Sequence, residues 1–357
     1  MRNAQNPFKF GTIVEEEYFT DRKDELQYIK KFINGPNHLV IISPRRFGKS
    51  SLVNKAVKQT GRKAIVLNLQ QITSQTILAA KLLREFFKVF PLEKVKHLLA
   101  NFRVIPIIST NPFTGQMDVS FHPNLNQAIL LEDVFGLIEH ANSKQNRIII
   151  VLDEFQEIRK IDPNLDKTLR SLMQNQNNIN YILLGSQESL MTDIFENKKS
   201  PFYHFGQMMR IGKLPRKDFH RYLTDRLEDS FPGTCEELAN EILDYTECHP
   251  YYTQQLAANV WQTSILQPDT ENPVNTAIQQ IITTHDLDYE RLWSNFNKTN
   301  KWIMQQLALG RPLQTGEYRT STIYSALKRL QTDGYAKYSD KYEIEDPFFK
   351  EWIKSKQ

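Results

Sequence analysis

The sequence predicts an α/β protein: a parallel β-sheet core with helices on both faces, then a helical domain, then a C-terminal winged helix. Three patterns carry this. Short apolar runs alternate with helical periodicity from His38 to Leu214, which implies strands joined by helical crossovers. From Arg216 to about Ser264 the periodic stretches are helical. From Asn300 to Ile353 the order is helix, turn, helix and a two-stranded wing. The expected division is a core over 1–215, a helical domain over 216–295 and a winged helix over 296–357. A chain of 357 residues supports two or three domains, and 40% hydrophobic residues suffice for their cores.

The elements follow in order. Asn6–Gly11 reads as loop. A helix runs through Leu26, Ile29, Phe32 and Ile33, with Thr20 or Asp21 as its N-cap and Gly35-Pro36 as its stop. The run His38–Ile42 is a buried strand, followed by a loop and a helix. Lys63–Leu69 is a second strand, and a helix rich in Leu and Phe spans Gln75–Phe90. Alternation in RVIPIIS and MDVSF, broken at Asn111-Pro112 and Thr114-Gly115, predicts a hairpin between Phe102 and Phe121. Leu130–His140 is helical. Arg147–Leu152 is unbroken and apolar, as expected of a strand covered on both faces. A helix carrying Leu165, Leu169, Leu172 and Met173 leads to a fourth strand at Tyr181–Ser186, and a fifth is expected near Met209–Leu214. One helix is expected from about Val274 to Trp293. Helices over Lys301–Leu309 and Thr320–Thr332 precede the wing strands YAKYS and KYEIE.

Charge and cysteine content set bounds on function. The net charge of +4 permits nucleic-acid contact without demanding it. Cys235 and Cys248 have no metal-ligand spacing and make no disulfide framework. No apolar run is long enough to span a bilayer, and no signal-like stretch stands at the start. These bounds point to a soluble cytoplasmic protein.

The chemistry-bearing residues begin at Ser43-Pro44-Arg45-Arg46-Phe47-Gly48-Lys49-Ser50-Ser51, between a buried strand and a helix. The stretch matches the phosphate-binding loop G-x-x-x-x-G-K-[ST], with Ser43 at the first glycine position. N–H groups of such a loop and of the first helical turn lack intrahelical partners and can hold phosphate oxygens. Gly48 lets the backbone approach closely, Lys49 would reach the β- and γ-phosphates, and the Ser50 hydroxyl would ligate Mg²⁺. Pro44 fits only where no N–H is needed.

The strand Ile148–Leu152 ends in two acids. Asp153 would hold Mg²⁺ through water, and Glu154 would orient and deprotonate the attacking water, with Glu157 as a second candidate base. At the end of the next strand Ser186, with Gln187 as the alternate, would touch the γ-phosphate or the lytic water; either also suits a helix N-cap. Arg210 or Arg216 would neutralise transition-state charge as an arginine finger, or form an ordinary surface pair. Upstream, Phe8, Phe19 and Arg22 are candidates to lie against an adenine; the alternative is core packing for the aromatics and a surface charge for Arg22. His249, just before the helix-starting Pro250, would face the nucleotide phosphates or serve a structural role.

Read together, NPFKFG, YFTDRKDEL, SPRRFGKSSL, VLDEFQEI, GSQESLM, PFYHF and CHPYYTQQLA resemble the archaeal-type ATPase family, within the STAND and AAA+-like P-loop NTPases. The resemblance covers about Asn6 to Ala257, and the tail resembles the winged helix usual in that family. It implies an AAA+-like core, a helical lid, ATP with Mg²⁺, and switching or nucleotide-dependent homo-oligomerisation. Carried onto this chain it points to Lys49, Ser50, Asp153, Glu154, Ser186 and His249. The S-P-R-R form is usual in the family. His204-Phe205 stands where the family often has Gly-Arg after P-F-Y, which leaves Arg210 as the substitute arginine. ATP over GTP rests on the resemblance, beside the absence of an N-K-x-D motif.

The function expected is that of an ATP-binding, Mg²⁺-dependent, ATP-hydrolysing switch, with nucleotide held between core and lid. The alternative is a nucleotide-gated DNA-binding protein of the replication or transposition initiator type, with incidental hydrolysis. A third reading is a scaffold that binds ATP and hardly hydrolyses it. Arg319, Lys328, Arg329, Lys337 and Lys341 of the winged helix would meet phosphates or base edges. Asp333, Asp340, Glu343, Glu345 and Asp346 offset them, so DNA and protein partners both stand open.

Overall fold

The computed structural model describes residues 5–14, 16–20, 22–113, 115, 117–122, 126–313 and 316–356. In chain order the first elements are α1 (Lys23–Asn34), β1 (Leu39–Ile42), α2 (Lys49–Thr60), β2 (Ala64–Asn68), α3 (Gln75–Val89), α4 (Leu92–Leu99), β3 (Ile107–Thr110) and β4 (Met117–Ser120). Then come α5 (Gln127–His140), β5 (Ile148–Asp153), α6 (Ile158–Ile161), α7 (Leu165–Met173), β6 (Ile179–Gly185), α8 (Glu188–Phe195) and β7 (Gln207–Arg210). The remainder is α9 (Arg216–Leu227), α10 (Cys235–Thr246), α11 (Pro250–Leu266), α12 (Pro273–Thr284), α13 (Asp286–Asn295), α14 (Lys298–Leu309), α15 (Thr320–Thr332), β8 (Ala336–Tyr338), β9 (Tyr342–Ile344) and α16 (Pro347–Ser355). Two compact units result. A sheet unit holds residues 22–44 and 49–211, and a helical unit holds the N-terminal segment, 45–48 and the chain from Gly212 onward.

In the sheet unit the five parallel strands lie in the order β2-β5-β6-β1-β7. Parallel strands need crossovers, and helices supply them here. Every residue of β1, β5 and β6 is buried, so those strands are covered on both faces and tolerate the unbroken apolar runs seen in the sequence. The expected parallel core with flanking helices is what forms. Register aligns the carboxyl ends: Ile42 pairs with Gly185 on one side and Arg210 on the other, and Asn68 pairs with Asp153. The chain leaves β1 for the far edge and returns through β5 and β6, and open α/β sheets take ligands at the strand ends where the order reverses in this way.

Several elements depart from expectation. Helix α1 starts at Lys23 behind Arg22, which is left-handed (φ 72°) and makes no capping bond with its side chain; of the two expected caps, Thr20 lies outside the helix and Asp21 lies outside the described residues. The β3–β4 hairpin pairs Ile107 with Ser120 and Thr110 with Met117; the expected turn residue Thr114 lies outside the described residues. Strand β7 starts two residues before the expected Met209–Leu214 and ends at Arg210, because Gln207 N–H bonds to His38 O (3.0 Å) and starts the ladder there. Gly206 permits this, since a Cβ at that position would meet His38 O at 2.9 Å. Arg210 is therefore the last residue of the strand and not one near its start. The helix expected over Val274–Trp293 is two helices, broken at His285 (φ −99°, ψ 7°); the apolar period reads through the break because both halves bury residues, Ile281 in one and Tyr289 in the other. Helices α4 and α16 were not expected. The first buries only Val95, so its periodic signal is slight.

The helical unit has one continuous core. Tyr252 of α11 meets Phe348 edge-on (6.0 Å), Tyr289 of α13 packs on Phe349 (5.1 Å), and Trp352 Nε1–H donates to Asp286 (2.6 Å). Residues from 216–295 and from 296–357 thus share a single apolar interior. Helices α14 and α15 and the antiparallel β8–β9 hairpin form the winged-helix-like region. Helix α15 buries Ile323, Ala326, Leu327 and Leu330 and turns Thr320, Ser321, Thr322, Tyr324, Ser325, Lys328 and Arg329 to solvent.

Candidate active site

The polar cluster at the carboxyl ends of the strands is assembled by three elements of the sheet unit. Helix α2 starts at Lys49 directly after the loop, so Lys49 and Ser50 lie in its first turn. Strand β5 delivers Asp153 at its last residue and Glu154 just beyond. Strand β6 ends at Gly185 and delivers Ser186. Lys49 Nζ donates to Glu154 Oε1 at 2.9 Å and lies 4.0 Å from Asp153 Oδ1. Ser50 Oγ donates to Asp153 Oδ2 at 2.6 Å, and Ser186 Oγ donates to Glu154 Oε2 at 2.6 Å. Strand β6 lies between β1 and β5, so these groups meet across an intervening strand.

Electrostatics hold Glu154 ionised. Burial would raise its pKa, but the Lys49 ammonium and hydrogen bonds from Ser186, Gln156 and Lys49 outweigh burial and lower it. Its backbone is left-handed, φ 55°, ψ 47°, which costs a non-glycine residue roughly 1 kcal/mol or more. The same conformation starts the short 3₁₀ turn Phe155–Glu157 and folds Gln156 back onto the carboxylate.

The loop itself is held closely. Ser43 is fully buried; its N–H donates to Gly185 O (3.2 Å), continuing the β1–β6 ladder, and its hydroxyl donates to Pro44 O (3.0 Å). Arg45 and Gly48 are exposed, while Phe47, Lys49 and Ser51 are buried. Arg46 and Gly48 have positive φ, 67° and 86°, and nothing lies within 4 Å of a Cβ built on Gly48. Within the helical unit Phe47 meets the ring of His249 edge-on at 4.6 Å, and the Arg46 guanidinium lies over the ring of Tyr251 at 4.4 Å.

His249 is the N-cap of α11, with Pro250 at the first helical position. Its Nδ1 accepts from the N–H groups of Tyr251 (3.2 Å) and Tyr252 (3.4 Å), and Nε2 lies 3.3 Å from Glu345 Oε1. Burial lowers its pKa despite Glu345. An N-capping histidine carries no sequence signal beyond its place before Pro250.

Other expected site residues have partners of their own. Arg210 pairs with Glu196 (2.9 Å), and Arg216 with Asp244 (2.7 Å) and Asn240 (3.1 Å), all exposed pairs. Glu157 pairs with Lys160 (2.9 Å). Arg22 is buried and bonds to Glu25 (2.9 Å), so it is no surface charge. Phe8 is buried in the core of the helical unit, edge-on to Tyr222, and Phe19 is half-buried. Gln187 caps α8 without a side-chain bond, so the strand-end partner of Glu154 is Ser186. In the wing, Lys337 bonds to Glu247 (2.8 Å) and Lys341 lies 3.5 Å from Glu343. Among the described residues no acid pairs with Arg319, Lys328 or Arg329. Gln156 belongs to the cluster and was missed, because only the left-handed turn at Glu154 brings it there.

A family profile described as an ATPase domain predominantly from Archaea matches residues 19–256. A search of the curated proteins finds no match. Among solved structures the chain is similar to the Walker-type ATPase of Pyrococcus abyssi, at 17% identity and a TM-score of 0.66 over 95% of this chain and 97% of that one. It is also similar to the ORC2 protein of Aeropyrum pernix, solved with ADPNP and ADP, at 13% identity and a TM-score of 0.52 over 99% and 98% of the two chains. The ORC1 protein of Aeropyrum pernix, solved in complex with DNA, gives 13% and 0.51 over 95% and 93%. At such identities the likeness is one of fold.

Proposed function

The chain belongs to the family of ATPase domains found predominantly in Archaea, with an AAA+-type P-loop NTPase fold and a winged-helix-like C-terminal region, and from that premise we propose that it binds ATP with Mg²⁺ and uses the nucleotide state to gate contact with DNA. The observation that carries the nucleotide half is the single cluster of Lys49, Ser50, Asp153, Glu154 and Ser186. Lys49 Nζ pairs with Glu154 Oε1 at 2.9 Å, and a triphosphate would offer it a stronger anionic partner. Its transfer frees Glu154 Oε1, while Ser186 keeps Oε2.

The donor set fits a magnesium ion. Ser50 Oγ and Asp153 Oδ2 are hard oxygen ligands held side by side, and Mg²⁺ needs only one or two protein oxygens beside phosphate and water. Among the described residues there is no group of three or more His, Cys, Asp or Glu placed to hold a metal ion, so the ion would lean on substrate oxygens. When bound it would supply positive charge against the phosphate oxygens. In hydrolysis Glu154 Oε1 takes a proton from water, the water oxygen bonds the γ-phosphorus, the β–γ bridging P–O bond breaks, and ADP leaves with the electron pair.

The DNA half is supported by fold likeness to a protein solved on DNA and by the exposed face of α15, where hydroxyls and amines suit phosphate and base-edge contacts. This initiator-type reading is favoured over a switch that turns over ATP and meets only protein. The second reading keeps the support of the hydrolysis-ready Glu154 and Ser186. The STAND branch of the family belongs to the same proposal, as does nucleotide-dependent self-association, which is read by sedimentation with ATP and ADP.

The deciding experiment is a gel shift of duplex DNA with ATP, with ADP and without nucleotide. A shift that depends on nucleotide, weakens steeply with salt and is lost in Lys328→Glu/Arg329→Glu supports the proposal. A shift indifferent to nucleotide, or none at any salt, favours the protein-binding switch.

A further inference from the structure

Gln156 is 2% exposed, one of the most buried polar residues in the chain. Its Nε2 donates to Glu154 Oε2, the oxygen that also accepts from Ser186. Its own Oε1 is buried with no hydrogen-bond partner among the described residues. The amide cannot be reversed, because that would turn a carbonyl oxygen toward the carboxylate. Neighbours wedge it in place: a Cβ at Gly185 would come within 2.7 Å of Gln156 Oε1 and 2.2 Å of Met191 Sδ. Gly185 thus leaves the room that the amide occupies.

An orphaned buried acceptor is destabilising, because it loses its hydration without gaining a partner. A leucine would fill the same space without that cost, so packing does not account for a glutamine. The carboxylate does. It has about four lone-pair positions, and Lys49, Ser186 and Gln156 take three of them. Two lie on Oε2, and they come from different elements, so that oxygen cannot rotate away when Lys49 leaves Oε1.

We infer that Gln156 is a positioning residue: together with Ser186 it pins Oε2 of Glu154, so that Oε1 is the oxygen aimed at the attacking water once Lys49 has turned to phosphate. This rests on the reading of Glu154 as the base. The charged groups facing the carboxylate are Lys49 from α2 and Asp153 from β5. Gln156 acts on the orientation of Glu154 through its hydrogen bond to Oε2.

The test uses the full chain. Gln156→Leu should lower kcat at least tenfold, leave the ATP Kd within twofold and leave the melting temperature unchanged or higher. Because its effect passes through Glu154, the double variant Gln156→Leu/Glu154→Gln should be no slower than Glu154→Gln alone. A second readout needs no turnover. The side-chain amide signal of Gln156 in a ¹⁵N–¹H spectrum, identified by its loss in Gln156→Leu, should be shifted downfield and protected from exchange, and should lose both properties in Glu154→Ala. Wild-type kcat in Gln156→Leu, a further loss in the double variant, or an amide signal indifferent to Glu154→Ala would each overturn the inference. Wild-type turnover in Glu154→Gln would instead sink the assignment of the base, with the amide signal still deciding whether Gln156 holds that carboxylate.

Discussion

The two ends of the parallel sheet are both lined with buried and half-buried polar groups, and they use them in opposite ways. At the amino-terminal end Arg62 donates to Ile33 O, Arg147 O and Asn180 Oδ1. Arg147 donates to Asn177 O (2.9 Å) and Gly35 O (3.1 Å), and Asn180 Nδ2 to Gly35 O (2.9 Å). Tyr181 N–H donates to His38 Nδ1 (3.3 Å). Nearly every bond there runs from a side chain to the main chain and satisfies carbonyls left over where α1 stops and the strands begin. At the carboxyl end the bonds run from side chain to side chain, and most converge on one acid, Glu154. Main-chain partners cannot be displaced without unfolding. A lysine bonded to a carboxylate can exchange it for a phosphate. A polar cluster that closes on the backbone is therefore structural, and one that closes on itself is open to a ligand.

Substitutions at the two ends should separate accordingly. The largest effect is expected for Lys49→Ala, which should abolish ATP binding by calorimetry, a loss of at least about 3 kcal/mol; unchanged affinity would refute the site. Glu154→Gln should keep ATP affinity and lower turnover by roughly 10²–10⁴, and wild-type turnover would pass the role of base to Glu157. At the other end Asn180→Ala should cost about 1–3 kcal/mol of stability in urea, by removing one hydrogen-bond partner each from Arg62 Nη2 and Gly35 O in a part-buried network, with ATP affinity within twofold. A large loss of ATP affinity there would break the contrast between the ends.

A pH effect also belongs to the amino-terminal end. Burial, with the charges of Arg170 and Arg147, lowers the pKa of His38 from 6.5 to about 4. The unfolded chain then binds a proton that the folded chain refuses between those values. Stability should be full above pH 6.5 and fall as pH drops toward 4, by at most ~3 kcal/mol. Protonation would also take Nδ1 from Tyr181 N–H. His38→Phe, keeping the stack on Phe205, should flatten that part of the stability profile; an unchanged slope would assign it to other groups. The smallest effect is expected for Arg210→Ala. Its exposed pair with Glu196 contributes at most about 1 kcal/mol, and turnover should stay within twofold. A hundredfold loss that depends on protein concentration would identify Arg210 as acting on the nucleotide of a neighbouring copy.

The sequence by itself determined the strands, most helices and the side chains of the phosphate loop, because these rest on local rules. Apolar runs mark buried strands, a period near 3.6 marks helices, and a glycine before lysine and serine marks a loop that opens a helix. Local rules failed where the signal was non-local or continuous across a break: the start of β7, set by a bond to His38, and the division of α12 from α13 at His285. Only the tertiary structure decided that β6 lies between the loop strand and the acid-bearing strand, that His249 caps its own helix, and that Gln156 turns back onto Glu154. Strand order is a property of long crossovers, which leave no trace in the residues at the strand ends. The left-handed backbone at Glu154 is held by the packing around it and by no residue preference, so the partner it brings to the carboxylate could be seen only once the chain had folded.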